Sequence, residues 1–200
     1  MNTKTLIFFF VALFFLFSCK KNESNSNLAI FDAVFDVDSN LLNVSPITDS
    51  SLNFKITPPK NFEKVEESTK FSKDFSVNIN NSKIIYKYIN KNDSSLMLVL
   101  DISNSKINFL ENLRVNYQKV FNKENTWKNI QYQDFIYKDF LINQYILQNE
   151  LATNFTLLCY KNGIRKLPLF GIIFVLNQRT SKNTLKSVES SIGTLNKLLN

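Results

Sequence analysis

From residue 52 onward the chain alternates between two periods of hydrophobic repeat. Leu52, Phe54 and Ile56 alternate with polar neighbours and predict a half-buried strand, stopped by Pro58-Pro59. Phe62, Val65 and Thr69 fall on one helical side and predict a short helix within Phe62–Phe75. Ile84–Ile89 and Leu96–Ile102 predict two strands joined by the polar turn Asn90–Ser95. Ile107, Leu110, Leu113, Tyr117, Val120 and Phe121 carry a helical repeat over Lys106–Asn122. Three strands follow at Ile130–Tyr137, Phe140–Leu147 and Asn154–Tyr160, with a tight turn at Lys138-Asp139. Asn162-Gly163 marks a further turn, because glycine accepts the positive φ that a hairpin needs. Leu169–Leu176 is apolar on both alternations, which requires cover on both faces. A closing helix begins near Lys182, capped by Thr180 or Ser181, with Leu185, Val188, Ile192, Leu195 and Leu199 toward the core.

Neighbouring strands joined by short turns must be antiparallel. A strand buried on both faces asks for a layer on each side. The expectation is an α+β fold: an antiparallel β-sheet flanked by helices in an α/β/α sandwich, one domain spanning residues 52–200. Leu28–Ser51 defeats assignment, since Leu28, Phe31 and Phe35 could share a helical face but Val34, Val37 and Leu41 blur the period. It is a lead-in of unassigned structure.

The N-terminus follows different rules. After Lys4 comes an unbroken apolar run, Leu6–Phe17, of twelve residues, six of them Phe. At about 1.5 Å per residue it covers about 18 Å, short of a bilayer core of about 30 Å. That length suits a signal-peptide core. Leu16-Phe17-Ser18-Cys19 resembles the lipobox of bacterial lipoproteins, with Phe17 standing where a smaller residue is usual. The resemblance implies cleavage after residue 18, a diacylglycerol on the Cys19 sulfur, and a palmitate-class acyl chain on the new amino group. Two or three such chains anchor stably where one is marginal. Residues 1–18 are then the signal peptide and residues 19–51 the lipidated cysteine, tether and lead-in. Lys20–Asn27 is polar and spans at most about 27 Å at about 3.4 Å per residue. Lys20, rather than Asp, after the cysteine leans toward the outer membrane of a Gram-negative bacterium. Lys20, Lys21 and Glu23 are faintly similar to the export tags of surface lipoproteins.

Composition narrows the chemistry. The chain carries a formal charge of +7, yet only Arg114, Arg165 and Arg179 are arginines, and the lysines form no stripe. Arginine is the preferred reader of phosphates and bases, so no nucleic-acid role is expected. Abundant Asn, Lys, Ile and Phe match AT-rich codons and explain the basicity. Histidine is absent, which removes the commonest general base and metal ligand and every Ser-His or Cys-His pair. With Cys19 lipidated, Cys159 has no intramolecular partner and is expected as a buried apolar residue in a strand. Three glycines cannot build a phosphate-cradling loop. No cofactor and no metal are expected.

Three stretches were candidates for chemistry. Asp36–Asn40 (DVDSN) resembles the start of a calcium loop, but Leu41 replaces its turn glycine and Ile47 its bidentate glutamate, so an exposed polar turn is expected. Asp101, Asp134, Asp139 and Glu150 could pair for acid–base work, though no spacing forces any two together. Tyr132, Phe135, Tyr137, Phe140 and Tyr145, near Trp127, Lys128 and Lys138, could stack sugars or bases. Strand alternation sends half of those rings to the core.

The element order over Leu52–Leu199, from the Pro58-Pro59 strand end and Phe62 to the closing LFGIIFVLNQRTSKNTLKSVESSIGTLNKL, resembles the PsbP-like fold. That fold is shared by an extrinsic photosystem II subunit, a Ran-binding nuclear protein and many small bacterial lipoproteins. Phe62 stands where the family often has Trp. The resemblance brings no catalytic residues and implies an accessory role. The expectation is therefore a membrane-anchored, non-catalytic binding or accessory module of the cell envelope with a protein partner. The alternatives are an envelope hydrolase using carboxylates, possibly on glycans, and a carrier with an apolar pocket.

Overall fold

The computed structural model describes residues 30–66, 83–103, 129–148, 152–161, 169–177 and 182–198. Eleven strands are present among them: β1 (Phe31–Asp32), β2 (Ile47–Asp49), β3 (Phe54–Ile56), β4 (Phe62–Lys64), β5 (Lys83–Asn90), β6 (Leu96–Asp101), β7 (Asn129–Tyr137), β8 (Phe140–Gln148), β9 (Ala152–Lys161), β10 (Phe170–Asn177) and β11 (Asn196–Lys197). One α-helix, α1 (Lys182–Gly193), and one 3₁₀ turn, Ser39–Leu41, complete the described elements. Cys19, the helix expected at Lys106–Asn122, Glu150, Trp127, Lys128 and Asn162-Gly163 lie outside the described residues.

Eight strands form one sheet in the order β1-β7-β8-β9-β10-β6-β5-β4, and β11-β3-β2 form a second, small sheet. The hairpins pair antiparallel as their short turns require. Lys138 takes a φ of 51° to make the tight β7–β8 turn. Strand β1 runs parallel to β7, so the large sheet is mixed.

The expected α/β/α sandwich is not what the chain builds. The described structure is mostly β, with 55% in strands and one α-helix. The inference that β10 needs two covered faces was sound, since its residues Phe170–Leu176 are all buried. A covering layer need not be helical, however. On one face the cover is a composite: Val188 and Ile192 of α1 together with Ile47, Leu52, Phe54 and Ile56 of the small sheet. They pack against Met97, Val99, Phe135, Phe140, Leu157, Phe170, Ile172 and Phe174 of the large one. Phe54 stacks on Phe170 with centroids 4.3 Å apart, and Phe140 meets Phe170 edge-on at 5.5 Å. The opposite face carries a separate aliphatic cluster around Leu96, Leu98, Leu100, Leu158 and Ile173.

Two further expectations change. Phe62–Lys64 is a strand paired with β5, not the start of a helix. Asn61, at φ 68°, turns the chain there, and Phe62 is buried by its place in the sheet. The closing helix stops at Gly193. Leu195 reaches the core after the helix has ended, and the chain continues as β11 against β3. Hydroxyls fasten this junction: the Thr57 amide donates to Thr194 Oγ1 (2.7 Å) and Ser191 Oγ donates to the Thr57 carbonyl (2.6 Å).

Residues 31–43 form a strap between the two edges of the large sheet. At one edge Phe31 and Asp32 pair with Phe135 and Ile136, and the Ala33 amide donates to the Ile136 carbonyl (2.8 Å). At the other, Asn43 Nδ2 donates to the Phe62 carbonyl of β4 (2.6 Å). The backbone also bridges Leu42 to Pro59, and the Lys60 amide donates to the Leu41 carbonyl. Seven inter-strand steps at about 4.8 Å make about 34 Å. Twelve residues extend to at most about 41 Å. Twelve residues are thus long enough to cross the sheet, with the Ser39–Leu41 turn within the span.

Candidate functional site

The strap follows a period of two. Ala33 and Phe35 are half-buried and pack against the core, while Asp32, Val34 and Asp36 between them are exposed. Phe35 lies 5.9 Å from the Phe135 ring and makes an edge contact with Tyr137 at 4.8 Å. These aromatic contacts, with the two edge anchorages, fix the strap without a continuous hydrogen-bond ladder.

It is clamped where α1 ends. A Cβ on Gly193 would lie 2.5 Å from Val37 Cγ2 and 2.9 Å from Phe35 Cβ, so only glycine admits this close approach. The Gly193 carbonyl accepts hydrogen bonds from Tyr137 Oη (2.6 Å) and Lys138 Nζ (3.2 Å). The last carbonyls of a helix carry partial negative charge and lack partners within it, so a cation there is doubly favoured. Burial pushes the Tyr137 hydroxyl up from its ordinary value and the Lys138 ammonium down. The Asp38 amide donates to Ser190 Oγ (3.1 Å), and the Asp38 carboxylate accepts from the Asn40 amide (2.9 Å), capping the 3₁₀ turn.

Desolvation, then the nearby Asp36 carboxylate, raise the Glu189 carboxyl above its ordinary range, with Lys186 opposing. These acids meet where the strap crosses the helix.

The exposure along this segment is unusual in one respect. The five large apolar side chains exposed among the described residues all fall within residues 30–44: Ile30, Phe31, Val34 at 93%, Val37, and Val44 at 100%. Asp32, Asp36 and Asp38 are exposed between them, and residues 30–44 contain no Lys or Arg. The segment joins apolar contact area to negative charge, a combination suited to docking rather than to bond-making.

The candidates from sequence are dispersed. DVDSN is an exposed turn in which Asp38 caps backbone, and among the described residues no group of three His, Cys, Asp or Glu could hold a metal ion. Asp101 accepts from the amide and hydroxyl of Ser103. Asp134 accepts from Asn143 Nδ2 across the β7–β8 pair (2.5 Å). Asp139 is exposed in the turn. Asp101 lies four strands from Asp134, about 19 Å at about 4.8 Å per strand. Paired glycosidase carboxylates stand about 5–9.5 Å apart. Of the aromatic set, Phe135, Tyr137 and Phe140 are core residues on the helix side. Tyr145 packs on the other face, where burial first and Asp134 second push its hydroxyl up to about 12. Cys159 is a fully buried free thiol in β9, raised by desolvation.

A second polar node joins the sheets. Asp49 Oδ1 accepts from Ser51 Oγ (2.6 Å) and the Leu52 amide (3.0 Å), and Tyr86 Oη donates to Oδ2 (3.3 Å). Desolvation alone would raise Asp49, but these hydrogen bonds outweigh it and hold the carboxyl below its ordinary range. With both oxygens engaged, the group serves the β2–β3 turn.

Sequence reasoning missed the strap because only a helical period was sought there. Phe31, Ala33, Phe35 and Val37 alternate with Asp32, Val34, Asp36 and Asp38, and Val34 is the one apolar residue in the polar register.

No family model matches this chain, and no curated protein matches it. Among solved structures it is similar to the solution structure of cyanobacterial PsbP (CyanoP) from Synechocystis sp. PCC 6803. The identity is 12%, the match covers 88% of this chain and 98% of that one, and the TM-score is 0.44. A PsbP-like protein is thus a structural neighbour of this chain, and nothing about its activity or partners follows from the likeness.

Proposed function

We propose that this chain is a lipid-anchored protein of the bacterial cell envelope, held through Cys19, that works as a non-catalytic binding or accessory module. The observation that carries the reading is the strap: exposed apolar side chains gather in residues 30–44, beginning eleven residues after the cysteine of the lipobox-like Leu16-Phe17-Ser18-Cys19. The same short stretch of chain would hold the protein at a bilayer and offer a surface beside it. The carboxylates of Asp38, Asp49, Asp101 and Asp134 are each occupied by a local hydrogen bond, which favours binding over acid–base catalysis. Lys20, rather than Asp, after the cysteine favours the outer membrane as part of this proposal. Metabolic palmitate labelling of intact cells tests it. Label should enter the parent and be lost from Cys19→Ser, which should leave the membrane fraction. An unlabelled parent, or a variant that fractionates unchanged, contradicts the anchor.

The alternative, a carboxylate-based envelope hydrolase acting on glycans, has one observation in its favour: the Asp36 carboxylate is close enough to Glu189 to help raise its carboxyl. It requires glycan hydrolysis that disappears in Glu189→Gln.

A further inference from the structure

We infer that the outer side of the strap is a docking strip for another protein at the same membrane, one presenting apolar side chains flanked by lysine or arginine. The inference rests on the envelope-module reading and adds the chemistry of the partner. Val34 and Val44, almost wholly exposed, supply apolar contact, and the partly exposed Ile30, Phe31 and Val37 border them. Asp32, Asp36 and Asp38 supply negative charge in a segment without a cation, on a chain whose overall formal charge is +7.

Three occupants could cover such a strip, and charge separates them. Anionic lipid headgroups attract basic segments and are repelled by this one. A second copy laid strap against strap would oppose three aspartates with three, and like charges across an interface are strongly disfavoured. A partner with an apolar centre and cationic flanks matches both properties. The size of the strip sets the strength. A segment about 40 Å long and about 10 Å wide offers about 400 Å², roughly half of what one side of a standard interface buries. Such a contact is weak between freely diffusing molecules. Tethering both partners to one bilayer raises their effective concentration and makes a small interface sufficient.

Carbodiimide cross-linking of intact cells reads this directly, because the reagent joins a carboxylate to a lysine amine as an amide, with loss of water. Peptide mass spectrometry should find Asp32, Asp36 or Asp38 linked to a lysine of a different protein. The link should fall at least tenfold in the double variant Val34→Ser/Val44→Ser when that variant keeps the parent's thermal unfolding. Links joining only two copies of this chain would overturn the inference in favour of self-association, and a strap without links would overturn it outright. Strap-dependent flotation of the Cys19→Ser chain with phosphatidylethanolamine–phosphatidylglycerol vesicles would overturn it in favour of the bilayer. Links that persist in a chain found to carry no palmitate would support the docking strip while removing the anchor.

Discussion

Strand β10 and the strap are both rich in apolar residues, and the fold treats them in opposite ways. Between β9 and β6, with cover on both faces, β10 buries every residue from Phe170 to Leu176. The strap has ladder partners only at its ends, and the core lies to one side of it. It half-buries Ala33 and Phe35 and leaves Val34 and Val44 in solvent. Leaving a valine exposed forgoes about 1.5 kcal/mol that burial would contribute. Apolar residues in β10 are needed for folding. Those on the outside of the strap are not, and a docking role accounts for them.

The comparison can be broken at several depths. Phe170→Ala should have the largest effect, because Phe170 is fully buried and touches both Phe54 and Phe140. Chemical denaturation should show a loss of about 3–5 kcal/mol. Gly193→Ala attacks the clamp: the added methyl meets Val37 and Phe35, and overpacking of this kind costs about 1–3 kcal/mol. Val37→Ala in the same chain should restore part of that loss, which would identify the strap as the obstruction. Tyr137→Phe removes one buried donor to the Gly193 carbonyl and should cost about 1 kcal/mol by the same assay.

The smallest effect is a pH dependence. Glu189 has a folded-state pKa raised above the ordinary 4.5, by desolvation first and Asp36 second. The folded chain then holds this proton more tightly than the unfolded chain. The group's contribution to stability is most favourable below 4.5 and declines as pH rises through the raised value. Glu189→Gln should therefore raise the midpoint of thermal unfolding slightly at pH 7, and the gain should vanish in acid. A loss at pH 7 that vanished in acid would mean that Glu189 is stabilised by a cation instead.

Much of the large sheet was legible because its signals are local. The strands at Ile84–Ile89, Leu96–Ile102 and Phe140–Leu147 announce themselves by alternation and by the turns between them, and the structure holds them within a residue or two. What could not be read was which sheet a strand joins. The alternation of Leu52, Phe54 and Ile56 is the same whether its partner is β6 or β11, and only a contact some 140 residues away decides it. The sandwich was over-read for the same reason. Burial on both faces is a statement about neighbours, and a small sheet satisfies it as well as a helix. The start of the short helix expected within Phe62–Phe75 was misplaced, because Pro58-Pro59 and Asn61 set up a turn into a strand at Phe62–Lys64, while residues 67–75 lie outside the described residues. The candidate site was the least legible part. Gly193 looks like an ordinary helix terminator until the strap above it is known, and the strap's period of two is only eight residues long.

The account depends on the strap being fixed by its inner side while its outer side stays free of folding duties. The denaturation midpoint of Val34→Asp/Val44→Asp tests this most directly. The account predicts a midpoint within about 0.5 kcal/mol of the parent, with an unchanged slope, as for other substitutions at exposed positions. A loss of about 2 kcal/mol or more would mean that these valines are packed in the folded protein, and the strap would have no open face to offer.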